Sequence, residues 1–404
     1  MESKKRKKSN RSLFYRIAAW LHLWLGLVTG IVVVIVCLTG CIWCFNEEIT
    51  DLFDKHSTVA MQDMPVMKPS EIKSALAKKY PDFTLKSYNM REGHSMRCYL
   101  SPLKTAKTPP TSVVSMEIRI NPYTGSVLLE KKYGKDEKEF FRWVLNGHRF
   151  LWLPYTIGRP IVNYSVLVFI VTLLTGLVLW WPKKWNQSTR SRCFKIKWNG
   201  TVKRINYDLH NVLGFYALSF LLVIASTGIV WGIQWFAKST YWLTTGGKSN
   251  SEYVRLVSDT ANKDTRFTSD EAIDSAWRMT SVGHANTTGF YVMLPDTTTP
   301  TATIFITFYP TKGKFYDNQN YVFDQHTLKP LKQTSIYGTP YEQCNPGEKL
   351  RKWNYDLHVG SLLGLPGKFL AFCSSLIGAS LPVTGLVVWW GRKRRQKRKL
   401  PCEI

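Results

Sequence analysis

The chain has 404 residues, with 54 Lys and Arg against 28 Asp and Glu, a formal net charge of +26, and 16 Trp. That charge invites a nucleic-acid reading, but residues 1–12, 183–204 and 391–404 alone carry six, eight and seven of the basic residues and only two acids. No aromatic-basic platform accompanies them, so nucleic acid is excluded as a partner. Eight Cys are scattered through spans and loops, which excludes a disulfide framework.

In chain order, a basic tail (1–12) precedes a first predicted span (13–46), whose stretch 17–46 holds no Lys, Arg, Asp or Glu. A run of that length crosses a bilayer as a helix and is too long for a cleaved leader. Cys41 and Cys44 form a CxxC near its end. With no βαβ context around it, two small apolar fillers are the expectation rather than a redox dithiol. Residues 47–137 read as a small α+β domain: a short helix over 70–77, then a hairpin at 116–129 around an Asn-Pro-Tyr-Thr-Gly turn. Residues 138–182 read as an interfacial helix carrying His148, followed by a second span whose charge-free part is 160–182. A basic loop (183–207) leads to the third span (208–237). A second α+β domain (238–348) follows, with a helix over 269–276 and a hairpin at 321–331. An interfacial segment with the fourth span (349–391) and a basic tail (392–404) close the chain.

The pattern is doubled. His22, Gly26, Thr39-Gly40 and Trp43 recur at identical offsets as His210, Gly214, Thr227-Gly228 and Trp231. His148 with Thr175-Gly176 and Trp180-Trp181 recurs, one residue shorter, as His358 with Thr384-Gly385 and Trp389-Trp390. The expected architecture is therefore a membrane four-helix bundle built by internal duplication of halves 11–182 and 203–391, with two small α+β domains. The basic segments place both termini and the middle loop in the cytoplasm by the positive-inside rule, and they suit anionic membrane lipid as well.

Four histidines at repeated membrane positions are a functional signal. The topology puts His22 and His210 at one level and His148 and His358 at the other. Two imidazoles on facing helices are what a six-coordinate haem iron needs. Gly40, Gly176, Gly228 and Gly385 would let a flat macrocycle approach the backbone. Helix packing through small residues is the competing explanation. Arg16 and Arg204 at one level, and Arg142 and Lys352 at the other, stand where propionates would need cations, or are snorkelling interfacial charges.

The motifs LHLWLGLVTG at His22, GHRFLWLP at His148, DLHNVLG at His210 and DLHVGSLLGLPGK at His358 carry a resemblance over nearly the whole chain. They resemble the PepSY-associated transmembrane helix family, and within it the iron-regulated inner-membrane ferric-siderophore reductases of Gram-negative bacteria. The resemblance implies PepSY-like outer domains, an inner-membrane location, two b-type haems held by histidine pairs, and reduction of periplasmic ferric siderophores or other ferric chelates. A quinol or a cytoplasmic reductase would be the electron donor, since no G-x-G-x-x-G fingerprint is present for a nicotinamide. A non-enzymatic siderophore permease, an accessory subunit, or a regulator of extracytoplasmic proteases is the alternative.

Overall fold

The computed structural model describes residues 12–103, 113–134, 137, 139–249, 254–261, 267–284, 287–296 and 298–397. Most of both basic tails lies outside the described residues. The chain divides into a helical unit (1–44, 141–237, 357–404) and a sheet unit (45–140, 238–356).

The helical unit is built on four helices long and apolar enough to cross a membrane. They are α1 (Leu13–Cys44), α5 (Tyr155–Trp180), the stretch Val202–Ile229, and the stretch Ser361–Arg394, most of which is α13 (Gly364–Lys397). The third consists of α7 (Val202–Asp208), a π-helical turn (Leu209–Leu213) and α8 (Gly214–Ile229). At 32 residues α1 is about 48 Å long, more than a hydrocarbon core of about 30 Å requires. The first helix packs on α5 and α13, and α8 packs on the same two, so α1 and α8 stand across a diagonal. Val33, Phe169, Leu173, Ala217, Leu221 and Ala225 fill the middle. Gly30 makes room for Pro382 of α13: a Cβ there would lie 3.2 Å from the proline ring. Two short helices precede spans: α4 (Phe140–Phe150) before α5, and α12 (Asn354–Val359) before α13. The expected helix around His148 is thus present, two residues shorter at each end than 138–152.

The two turns into these spans differ. After α4 the chain passes through Leu151 (φ 56°) and Trp152 (φ 57°), a left-handed pair without glycine that costs roughly 1–2 kcal/mol per residue. The Trp152 indole Nε1 donates to the Trp143 carbonyl at 2.9 Å and the two rings lie 4.7 Å apart, which holds the turn. After α12 the corresponding bend uses Gly360 (φ 79°) and Gly364 (φ 67°), where left-handed backbone is unstrained.

In the sheet unit, α2 (Asn46–Phe53), α3 (Pro69–Lys79) and strands β1 (Phe83–Arg91), β2 (Met96–Pro102), β3 (Val113–Ile120) and β4 (Val127–Gly134) come from the first long segment. The second gives α9 (Gln234–Thr244), which begins in the helical unit, α10 (Ser269–Ser281), β5 (Gly289–Met293), β6 (Thr303–Tyr309), β7 (Gln319–Asp324) and α11 (Pro346–Lys352). The expectation of two separate small domains is corrected here. All strands form one antiparallel sheet in the order β4-β3-β2-β1-β5-β6-β7, joined by β1–β5 pairing from Ser87↔Met293 to Arg91↔Gly289. A four-stranded and a three-stranded half would each leave a long unpaired edge; pairing them satisfies both. Helices α3 and α10 share one core with that sheet, and Asp274 accepts from Ser70 N and Oγ at 2.9 and 2.5 Å. The hairpin expected at 116–129 forms from β3 and β4 with Gly125 at φ 71°. Its expected counterpart at 321–331 forms in a reduced version: β7 turns back on itself, with Asp324 N donating to the Lys329 carbonyl and Leu331 N to the Val322 carbonyl around a Phe323–Pro330 bridge, but the returning arm is too short to be a strand.

Tyr88 lies at this seam, fully buried, opposite Val292 and edge-on to Phe290 at 6.2 Å. Tyr88→Ala should destabilise the sheet by about 3–5 kcal/mol. Hydrogen exchange should then show β1 and β5 losing protection together, whereas two independent domains would lose it in β1 alone.

Candidate paired-histidine sites

Three of the span-associated histidines are held in the same way. His22 Nδ1 bonds the Thr172 carbonyl at 2.9 Å, His148 Nδ1 the Val36 carbonyl at 2.9 Å, and His358 Nδ1 the Ile224 carbonyl at 2.9 Å. These carbonyls belong to the residues four before Gly176, Gly40 and Gly228. His210 is the variant: its Nδ1 donates to the Thr384 hydroxyl at 3.0 Å, and that hydroxyl donates to the Leu381 carbonyl, four before Gly385, at 3.1 Å. A carbonyl only accepts, so Nδ1 carries the proton and Nε2 the lone pair. Among the described residues no hydrogen bond reaches any of the four Nε2 atoms.

The glycines are the other half of the socket. A Cβ on Gly176 would lie 3.0 Å from His22 Cε1; on Gly40, 3.1 Å from His148 Cε1; on Gly228, 3.0 Å from His358 Cε1; and on Gly385, 3.2 Å from His210 Cε1. What each glycine admits in this structure is the imidazole of a neighbouring helix. The preceding threonines complete the arrangement. Thr39, Thr175, Thr227 and Thr384 each donate back along their own helix, between 2.6 and 3.1 Å, to two carbonyls, one of which is the carbonyl four residues before the glycine.

These sockets bring the rings together in two pairs. His22 and His210 have ring centroids 6.1 Å apart at an interplanar angle of 80°; His148 and His358 are 6.0 Å apart at 66°. His22 and Gly40 are separated by 18 residues of α1, about 27 Å, so the two pairs occupy different depths. Helices α1 and α8 supply one residue of each kind, His22 with Gly40 and, across the π turn, His210 with Gly228. The glycines meeting the His22–His210 pair come from α5 and α13.

The arrangement suits a metal bound in line between two imidazoles. With metal–nitrogen bonds of about 2.0–2.1 Å and ring centres about 1.1 Å behind, centroids would stand roughly 6.3 Å apart. Among the described residues no cluster of three or more His, Cys, Asp or Glu is present. Two imidazoles alone do not complete a coordination shell, so a metal here must bring its remaining ligands with it, as a macrocycle does. A haem is a group of that kind, and the paired imidazoles are the residues that would hold it. The turn Leu209–Leu213 at His210 is π-helical, a local widening that recurs at functional sites.

The proposed cations fare unevenly. Arg16 and Arg142 are exposed. Arg204 is committed to buried Asp208 through Nε at 2.8 Å; Asp208 also accepts from Lys197 N at 3.2 Å. Lys352 is a correction: it lies in the sheet unit, 6 % exposed, with Nζ donating to the Thr339 carbonyl at 2.6 Å. Burial pushes its ammonium pKa down, so it is a structural donor rather than a counter-charge for a carboxylate. Cys41 and Cys44 are buried thiols outside any disulfide that donate to the carbonyls of Phe372 at 3.4 Å and Val359 at 3.0 Å, as fillers between helices.

Sequence reasoning missed the receiving carbonyls, which have no side-chain signature. It also missed Asp208 and Asp356, both buried, whose signal was present in the repeated Asp-Leu-His of DLHNVLG and DLHVGSL. Trp231, singled out only by spacing, stands edge-on to His358 at 5.2 Å.

Four membrane helices bearing two histidine pairs define a polytopic membrane protein with two candidate metal-binding levels. A family model described as PepSY-associated TM region matches residues 19–392, and the chain belongs to that family. No curated protein matches the chain at a significant level.

The sockets make a discriminating prediction. Gly228→Ala drives a methyl against His358 and should cost about 1–3 kcal/mol. Gly26→Ala meets Thr172 Cγ2 at an ordinary 3.6 Å, so the helix gain should leave stability unchanged or up to about 1 kcal/mol higher. Thermal unfolding of the detergent-purified protein reads both.

Proposed function

We propose that this protein is a transmembrane electron conduit that reduces ferric chelates, such as ferric siderophores, on the outer face of a bacterial inner membrane. The observation that carries the reading is the socket repeated four times, which fixes one tautomer and brings two pairs of imidazoles to centroid separations of 6.1 and 6.0 Å. A haem held by each pair would supply one-electron chemistry at that depth. The protein's own contribution is positional. Histidine Nδ1–H is anchored to backbone carbonyls, which keeps each Nε2 basic and oriented. Glycines let the rings seat, threonines brace the receiving carbonyls, and the apolar middle of the bundle keeps water out.

The orientation rests on charge. Basic segments on the 183–204 connection and both tails favour the cytoplasmic side, which puts His22 and His210 on the donor side and His148 and His358 on the acceptor side. The sheet unit then faces the periplasm, where it would shape the acceptor site. Reduction of Fe(III) to Fe(II) weakens binding by hard oxygen ligands and releases the metal.

Purified protein should be red, with the dithionite-reduced bands of low-spin b-type haem and two haems per chain by extraction. In sealed inverted vesicles loaded with a ferric acceptor, His358→Ala should abolish reduction of the enclosed acceptor while the remaining haem stays reducible by a donor added outside, on the cytoplasmic face. His210→Ala should block donor-driven reduction of both the outer haem and the acceptor. Colourless protein from haem-sufficient cells, or wild-type spectra and full acceptor reduction in both variants, would overturn the proposal in favour of a packing role for these histidines.

A further inference from the structure

Between the start of α1 and the end of α5 lies a groove of about 490 Å³, lined by Ser12, Tyr15, Leu177, Val178, Trp181, Pro182 and Lys183. Its volume is within the range of small-molecule sites. The lining is divided by chemistry. Leu177, Val178, Trp181 and Pro182 make an apolar wall, of which Trp181 is 59 % exposed. Ser12, Tyr15 and Lys183 supply two hydroxyls and a cation. Such a site takes an amphiphile with an aromatic or polar head and an apolar tail, entering from the bilayer.

Its position points to what that amphiphile does. Tyr15 is seven residues before His22, hence on the same helix face two turns away, about 10 Å along the axis. Leu177 directly follows Gly176, the residue against which the His22 ring is seated. The groove therefore adjoins the His22–His210 pair and not the other one.

We infer that this groove binds an isoprenoid quinol as the electron donor, an inference that rests on the conduit reading above. Charge complementarity favours it: a cation beside a quinol hydroxyl stabilises the anion formed as its proton leaves. The balance is two protons and two electrons per quinol. Both O–H bonds break and the ring becomes the quinone. The protons would go to water at the Lys183 end, and the oxidant would be a one-electron acceptor such as a haem, which His22 and His210 would hold, used in two one-electron steps.

The test uses the full-length protein in detergent and an azido-ubiquinone photoprobe with decylubiquinone as competitor. Peptide mapping should find label on 12–15 and 177–183, suppressed by decylubiquinone and not by equal phosphatidylglycerol. Val178→Phe, which fills the apolar wall, should weaken decylubiquinone binding at least tenfold by equilibrium dialysis with an unchanged Tm and haem spectrum. Tyr15→Phe should weaken it less. Label elsewhere, equal suppression by phosphatidylglycerol, or undiminished binding to Val178→Phe would overturn the quinol site. Binding is read without turnover, so a normal two-haem spectrum with no labelling of the groove sinks this inference alone, while a missing haem spectrum sinks the conduit.

Discussion

The helical unit depends on one arrangement made four times: an imidazole Nδ1–H linked across helices, three times directly and once through the Thr384 hydroxyl, to a carbonyl four residues before a glycine. The glycine lacks the Cβ that would block the ring, and the bond places the ring where Nε2 is left for another ligand. Neither part works alone. Without the glycine the ring cannot approach the carbonyl; without the carbonyl the tautomer is free and the pair loses its direction. A buried imidazole that kept neither bond would leave a polar group unsatisfied in an apolar medium, at a cost of roughly 1–3 kcal/mol. The repetition thus serves stability and site geometry through the same atoms.

The sheet unit is organised by a different constraint, the closure of strand edges. Its core face is apolar and takes both α3 and α10. The opposite face buries charge: Arg119, 3 % exposed, pairs with Asp54 at 3.0 Å and lies 3.4 Å from Glu117 on its own strand. Such a cluster is expensive to desolvate and contributes more to a unique register than to net stability. Arg91 reaches Glu47 and Asp51 at 2.9 and 3.2 Å, which ties α2 to the end of β1. Two distant stretches of chain are therefore locked into one body by a ladder and by side-chain pairs that neither stretch supplies alone.

Asymmetry within the repeat is informative. One bend into a span is made with glycines and the other with a strained Leu151-Trp152 pair clamped by Trp143. One histidine sits in regular α1 and its partner in a π-helical turn. The same ring separation is reached by different local backbones, which shows that the socket, rather than the helix regularity around it, sets the position of each ring.

The sequence by itself determined the four spans, because length and absence of charge are all that a bilayer demands. It also singled out His22, His148, His210, His358 and their Thr-Gly pairs, which recur at fixed offsets that periodic helices convert into depth and which the structure brings together. Only the tertiary structure decided what those residues touch. Gly40, Gly176, Gly228 and Gly385 were legible as close-approach positions, but the approaching group is the imidazole of another helix, a fact no local pattern holds. The same limit explains the single sheet in place of two domains: strand propensity is local, whereas the pairing of Tyr88 with Val292 joins residues about 200 positions apart. It explains Lys352 as well, whose charge suggested a counter-ion until burial and the Thr339 carbonyl gave it another partner.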